Sequence, residues 1–267
     1  MGPLDLEFMR TAYLVGAIVG CTAPLVGLLL VERRMSLIGD GLGHVAFAGV
    51  GFGLVLGVEP VLTALVAAII GAVAIEWVRS SRLAAGDRAL ALLFYSGLAG
   101  GVVLVSSAGQ FNASVNSYLF GSILTISDRD LVLTGLLGFV VAIVISALWR
   151  SLTAVAIDEE GAAVTGIPVR VLNVLVAVLA AVVVAVSIRT VGVLLIGALM
   201  VLPVMTAASL AWSLKSTAAI GAALGALTAL VGLTAAFYGN WAPGGTIVLV
   251  AAMTYAVVLT VTALRRS

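Results

Sequence analysis

The sequence predicts an all-α, polytopic membrane helical bundle, and three observations carry that prediction. Hydrophobic residues make up 63% of the 267 residues and charged residues only 9%, against roughly 45–50% and about 25% in a typical soluble domain. Mean hydropathy is +1.28, and 13 basic with 12 acidic residues cannot cover the surface of a soluble protein of this size. The charges also fall in clusters, and the intervals between them have the length of bilayer crossings. A crossing needs about 20 apolar residues, so nine would use roughly two thirds of the chain. A soluble enzyme, a nucleic-acid binder and a disordered scaffold are excluded together. A net charge of +1 leaves no basic excess for nucleic acid. Long uncharged runs of Leu, Ala, Val and Gly point to helices rather than a β-barrel. The single cysteine, Cys21, cannot form an intrachain disulfide. Asp5 and Glu7 give the leader the wrong charge for a cleavable signal peptide.

The spans follow in order, within a single transmembrane domain covering 1–267. Segment one occupies about 11–31, the charge-free interval between Arg10 and Glu32. Segment two runs from about Leu37 to Gly57 and carries Asp40 and His44 well inside it. Segment three follows Glu59-Pro60 and reaches about Trp77. Arg79, Arg82, Asp87 and Arg88 mark a loop, and segment four ends near Val105. The stretch from Ser106 to Ser117 is polar but uncharged, with Gln110, Asn112 and Asn116. The apolar piece after it, Tyr118–Ile126, is too short to span and reads as a re-entrant or interfacial helix. Segment five covers about 131–149. The largest polar insertion, 150–170, comes next. Segments six (about 171–188) and seven (about 190–211) are separated by a short turn near Arg189. Residues 216–264 are too long for one helix, and Tyr238 through Gly245 break them into segments eight and nine. About nine helices result, or eight if one short piece is miscounted.

Orientation follows from the basic residues. With the Arg33/Arg34 loop in the cytoplasm, ten of the 13 cations lie inside and only Arg10, Arg129 and Arg189 outside. That obeys the positive-inside rule, with the N-terminus outside and the C-terminus inside. No clean internal repeat supports an inverted-repeat carrier.

Absences limit the chemistry. There is no H-E-x-x-H, and one histidine cannot build a His-rich catalytic metal site. A phosphate-binding loop requires G-x-x-x-x-G-K-[ST], and the one lysine, Lys215, follows Trp212-Ser213-Leu214. The chain is therefore expected not to hydrolyse ATP by itself. The informative motif is Asp40-Gly41-Leu42-Gly43-His44. Positions i and i+4 share a helix face, so a carboxylate and an imidazole point together. Ionisable groups inside a membrane are expensive and face a cavity or a partner. Oxygen and imidazole nitrogen suit Zn²⁺ or Mn²⁺, with no soft sulfur to select Cu(I). Two plainer readings stand beside this one: an Asp–His hydrogen bond that locks helices, and a salt bridge from Asp40 to Arg34. Gly39, Gly41, Gly43, Gly49, Gly51, Gly53 and Gly57 make the same segment a packing seam. Pro203 removes one backbone hydrogen bond from segment seven and can kink it. Asp158-Glu159-Glu160 reads as the acidic first turn of a short helix ending near Gly166, with Pro168 opening segment six.

These residues resemble the permease subunits of the ABC-3 family, the membrane components of bacterial zinc and manganese ABC importers. Arg33-Arg34-Met35-Ser36-Leu37-Ile38-Gly39-Asp40-Gly41-Leu42-Gly43-His44 is similar to the family's R-R-x-S-L-x-G-D-A-x-x-H. Asp158-Glu159-Glu160 through Gly166-Ile167-Pro168, continuing into Val191–Leu195 and Leu202-Pro203, carries the likeness onward, as does Pro243-Gly244-Gly245-Thr246. Phe47-Ala48 stands where the family commonly has Leu-Pro. The resemblance implies a type II-like ABC importer permease in a bacterial inner membrane, paired as a homodimer or heterodimer. It implies a cytoplasmic ATP-binding subunit and an extracellular or periplasmic metal-binding protein as partners. Asp40 and His44 would line the path of a transported Zn²⁺ or Mn²⁺, with no permanently bound cofactor. Residues 153–167, with Asp158, Glu159, Glu160, Gly166 and Pro168, would form the helix that couples to the ATPase. The alternatives are an ion-coupled secondary metal carrier and an ABC permease for a metal chelate or vitamin.

Overall fold

A computed structural model describes residues 2–80, 86–109 and 113–266. Among the described residues every regular element is helical. Arg82, Gln110 and Asn112, used above to place loops, lie outside them. Among the described residues, eight helices are long and apolar enough to cross a membrane. They are α1 (Glu7–Glu32), α2 (Ile38–Leu56), α3 (Pro60–Ser80), α4 (Gly86–Ser107), α6 (Asp128–Ala147), α9 (Val169–Ser187), α11 (Leu214–Gly239) and α12 (Pro243–Arg266). The short helices between them are α5 (Ala113–Phe120), α7 (Trp149–Ile157), α8 (Glu159–Val164) and α10 (Ile196–Ala208).

Local signals set the boundaries. α6 opens on a capping box, in which the Ser127 hydroxyl accepts from the Asp130 N–H and the Asp130 carboxylate accepts from the Ser127 N–H. Ser213 and Ser216 do the same for α11. Asn240 ends α11 in the left-handed conformation, with φ 53°, and Pro243 starts α12 three residues later. Asp87 and Arg88 fall inside α4 rather than in the loop expected for them. α2 runs unbroken through Phe47-Ala48; Phe47 is buried against Gly101 of α4.

Segment seven differs most from expectation. Its C-terminal half is the 13-residue α10, and its first half is not helical. Residues 189–195 instead form turns, bonded back to the Ser187 carbonyl and lying against the end of α5. Ser122 N–H donates to the Arg189 carbonyl (2.9 Å), and Val193 N–H to that of Tyr118 (3.0 Å). Gly192 and Gly121, facing each other across this pairing, both take positive φ. Irregular backbone is tolerated in a membrane where protein surrounds it and satisfies its polar groups. The piece 118–126, expected as a re-entrant or interfacial helix, is not one helix: it holds the last turn of α5, a break at Gly121 (φ 77°) and a 3-10 turn at Ile123–Thr125.

α1, α2 and α9 form the centre. α1 packs on α11, α10, α6 and α9, while α2 lies between α3 and α4 and also touches α9. In the most apolar window 67% of α1 and of α2 is buried, against 11% of α12. The glycine seam of α2 is used as expected: Gly49 meets the backbone of α3 at Ala64, and Gly51 meets Leu104 of α4.

Two polar clusters mark the ends of the bundle. At one, Arg189 pairs with Glu59 (2.9 Å) and Asp130 (3.2 Å), joining the turn after α9 to the α2–α3 connection and the start of α6. At the other, the ends of α1 and α3 and the starts of α8 and α9 meet around Glu159.

Candidate metal path and coupling surface

Asp40 and His44 sit one turn apart near the start of α2. His44 is 7% exposed, and its Nδ1 is buried with no hydrogen-bond partner. The Phe94 ring of α4 meets the imidazole at 4.0 Å between centroids, tilted by 63°. α4 comes this close because Gly97 lies directly against the backbone at His44 and Val45. Asp40 lines a cavity of about 250 Å³ between α2 and α4, with Leu90, Phe94 and Tyr95 on the opposite wall.

Asp40 also touches the broken segment. Its carboxylate lies against Gly197 in the first turn of α10, where any Cβ would collide with it. Among the described residues no hydrogen bond joins Asp40 to His44 and no salt bridge joins Asp40 to Arg34. Neither of the plainer readings is therefore realised. The described residues hold no cluster of three or more His, Cys, Asp or Glu placed to hold a metal ion.

The acidic insertion folds as two helices rather than one. Asp158 is their hinge and caps α8, accepting from the Gly161 N–H at 2.9 Å. Its charge is thus committed to the chain itself. Glu159, half-exposed, is tied back to the bundle: Asn173 of α9 donates to it at 2.8 Å, and Arg79 of α3 approaches at 3.4 Å. Arg79 is held bidentately by Glu76, which is 2% exposed, at 2.8 and 2.9 Å. Arg33, just past α1, donates to Asn173 at 2.7 Å, while its Nε and Nη2 are buried without partners. Burial lowers the Arg33 pKa, and the charge of Glu159 works against that. At Glu159 burial favours a raised pKa. It is outweighed by hydrogen bonds from Arg79 and Asn173 and by the charges of Arg79 and Arg33, so the carboxyl ends below its ordinary 4.5. Glu160 is exposed. Gly166 closes the insertion with φ 83°, and Pro168 caps α9.

Sequence reasoning missed Phe94, Gly197, Asn173 and Glu76. Glu76 had a readable signal, because it precedes Arg79 by three positions on one helix and such pairs share a face. The other three meet their partners only through tertiary packing.

The family model of the ABC 3 transport family matches residues 5–262. The chain belongs to that family. The manganese import system permease protein ScaB of Streptococcus parasanguinis is 32% identical to it over 252 residues, 94% of this chain and 90% of that protein. The high-affinity zinc uptake system membrane protein ZnuB of Haemophilus influenzae is 30% identical over 93% of this chain and 95% of its own length. Among solved structures, PsaBC from Streptococcus pneumoniae in complex with Fab matches with a TM-score of 0.87 and 30% identity, over 96% of this chain and 92% of that one. The family resemblance read from Arg33–His44 and the later motifs therefore holds, and so does the multi-pass helical architecture.

Proposed function

We propose that this chain is the membrane permease subunit of an ATP-driven importer that moves a divalent transition metal ion, zinc or manganese, into the cytoplasm. The observation that carries the reading is the Asp40/His44 pair of α2. A buried imidazole with an unpartnered nitrogen lies one turn from a carboxylate on the wall of an open recess between α2 and α4. A buried polar atom left without a partner is costly, and a passing cation would satisfy it. The relatives named for manganese and zinc uptake point to the same cargo.

Two ligands hold a metal ion weakly, which suits a path from which it must leave. A second copy, or a related permease chain, related by a two-fold axis would bring a second pair and complete a four-ligand site. ATP is hydrolysed by a separate cytoplasmic subunit docked on α7 and α8. A metal-binding protein delivers the ion at the outer face, beside the Arg189 cluster. Because Glu159 is tied through Asn173 and Arg79 to α1, α3 and α9, movement of the docking helices reaches the helices that pack around α2. The test is metal uptake into proteoliposomes holding the permease with its cognate ATPase and metal-binding protein. Uptake that requires all three and ATP supports the reading. Uptake by the permease alone down an ion gradient contradicts it and indicates a secondary carrier.

A further inference from the structure

α6 and α11 both pack on α1, and at the end of the bundle that carries α7 a gap remains between them. The gap is a cavity of about 680 Å³. Arg150, Ser151 and Ser146 line it from the α6–α7 side and Lys215 from α11, while Leu25 of α1 and Ile145 make it apolar deeper in. Among the described residues neither Arg150 nor Lys215 has a carboxylate in salt-bridge range, whereas Arg79 and Arg189 are both paired. Lys215 lies in the first turn of α11, where a cation opposes the helix dipole. That turn is already capped by Ser213, so helix stability does not account for the lysine. Trp149 lines the same cavity, and Trp212 stands 87% exposed just before α11. Tryptophans settle at the level of lipid headgroups.

Two cations without acid partners therefore converge at headgroup level over an apolar recess. We infer that this cavity binds an anionic phospholipid of the cytoplasmic leaflet. Its phosphate lies between Arg150 and Lys215, the serine hydroxyls donate to it, and an acyl chain covers Leu25 and Ile145. Basic pockets between transmembrane helices on the cytoplasmic side recognise lipid headgroups in this way. A soluble anion would leave the apolar recess uncovered. The bound lipid bridges α7 and α11, and so braces the base of the α7–α8 insertion against the bundle. The inference rests on the membrane reading but not on the identity of the cargo, so its test uses stability rather than transport.

The experiment is thermal unfolding of the permease complex, purified in detergent with its ATPase and supplemented with phosphatidylglycerol, phosphatidylcholine or inorganic phosphate at equal concentration. Phosphatidylglycerol should raise Tm by several degrees more than phosphatidylcholine, since a ligand of the native state stabilises by mass action. The combined Arg150→Gln and Lys215→Gln changes should abolish that difference. Arg170→Gln, an exposed cation at the same end, should preserve it. Equal shifts from both lipids, an undiminished shift in the double variant, or equal loss in Arg170→Gln would each overturn the inference. So would inorganic phosphate alone reproducing the full shift. Should the double variant not assemble, native mass spectrometry decides. The wild-type complex must retain phosphatidylglycerol after detergent exchange and the single Arg150→Gln variant must retain less, and a wild type stripped of it sinks the site.

Discussion

Phe94 reaches across from α4 to place its ring edge-on to the imidazole of His44, 4.0 Å away. That contact fixes the plane of the only histidine in the chain, and with it the direction of the Nδ1 that lacks a partner. Aromatic pairs of this geometry contribute about 0.5–1.5 kcal/mol beyond their area burial. Phe94→Leu keeps an apolar side chain of similar reach and should cost less than about 1.5 kcal/mol of stability. It should nevertheless raise the KM for metal several-fold, because the ring it released is free to turn. Uptake measured against metal concentration, beside a melting curve, checks this. An unchanged KM would show that Phe94 only fills space.

Gly197 gives Asp40 its place beside α10. A methyl group there would strike the carboxylate, so Gly197→Ala should depress uptake per assembled complex by at least about tenfold, on the order of 1.4 kcal/mol. Gly245→Ala, where a Cβ meets nothing within 4 Å, should leave uptake unaltered. Equal uptake in the two variants would contradict the role given to the α2–α10 contact.

Much of this was legible in the sequence and some was not, for physical reasons. The spans could be read because a charge in hydrocarbon is costly, so charge-free intervals delimit helices. The same rule could not reveal that residues 189–195 leave the helix and form turns. An apolar stretch has one hydropathy whether its backbone bonds internally, as in α9, or across to Tyr118 and Ser122. Asp40 and His44 were found because both are chemically conspicuous inside a span. Phe94 was not, since an aromatic in an apolar helix carries no signal until packing sets it beside His44. The acidic run 158–160 was recognised as a unit, yet only three dimensions divide it into a cap at Asp158, a hydrogen-bonded anchor at Glu159 and a charge at Glu160.

The anchor makes the docking helices sensitive to acid. The Glu159 carboxyl titrates below its ordinary 4.5 in the folded protein. Its contribution is therefore full above about that pH and is lost as pH falls through the lower folded value. A spin label on Thr165, exposed at the end of α8, should become more mobile as the medium is acidified below that value. Glu159→Gln should be as mobile at neutral pH as wild type is in acid, and insensitive to pH. A pH-dependent mobility surviving in Glu159→Gln would place the switch elsewhere.

The two ends of the bundle should be distinguishable from outside the cell. In a Cys21→Ala background, a cysteine at Val164, 90% exposed on α8, should react with an impermeant maleimide only after cells are opened. A cysteine at Trp241, 65% exposed between α11 and α12, should react in intact cells. The reverse pattern would invert the orientation drawn from the basic residues.

The central claim is that Asp40 and His44 bind the passing ion, and uptake per assembled complex in Asp40→Asn and His44→Ala tests it most directly. Asp40→Asn removes a charge that costs about 2.5–3.5 kcal/mol to keep within a membrane helix, so its melting temperature should hold or rise. Both variants should assemble with the ATPase as wild type does and yet lose most metal uptake. Normal uptake per complex in the two variants, or uptake lost only in proportion to protein lost, would contradict the claim.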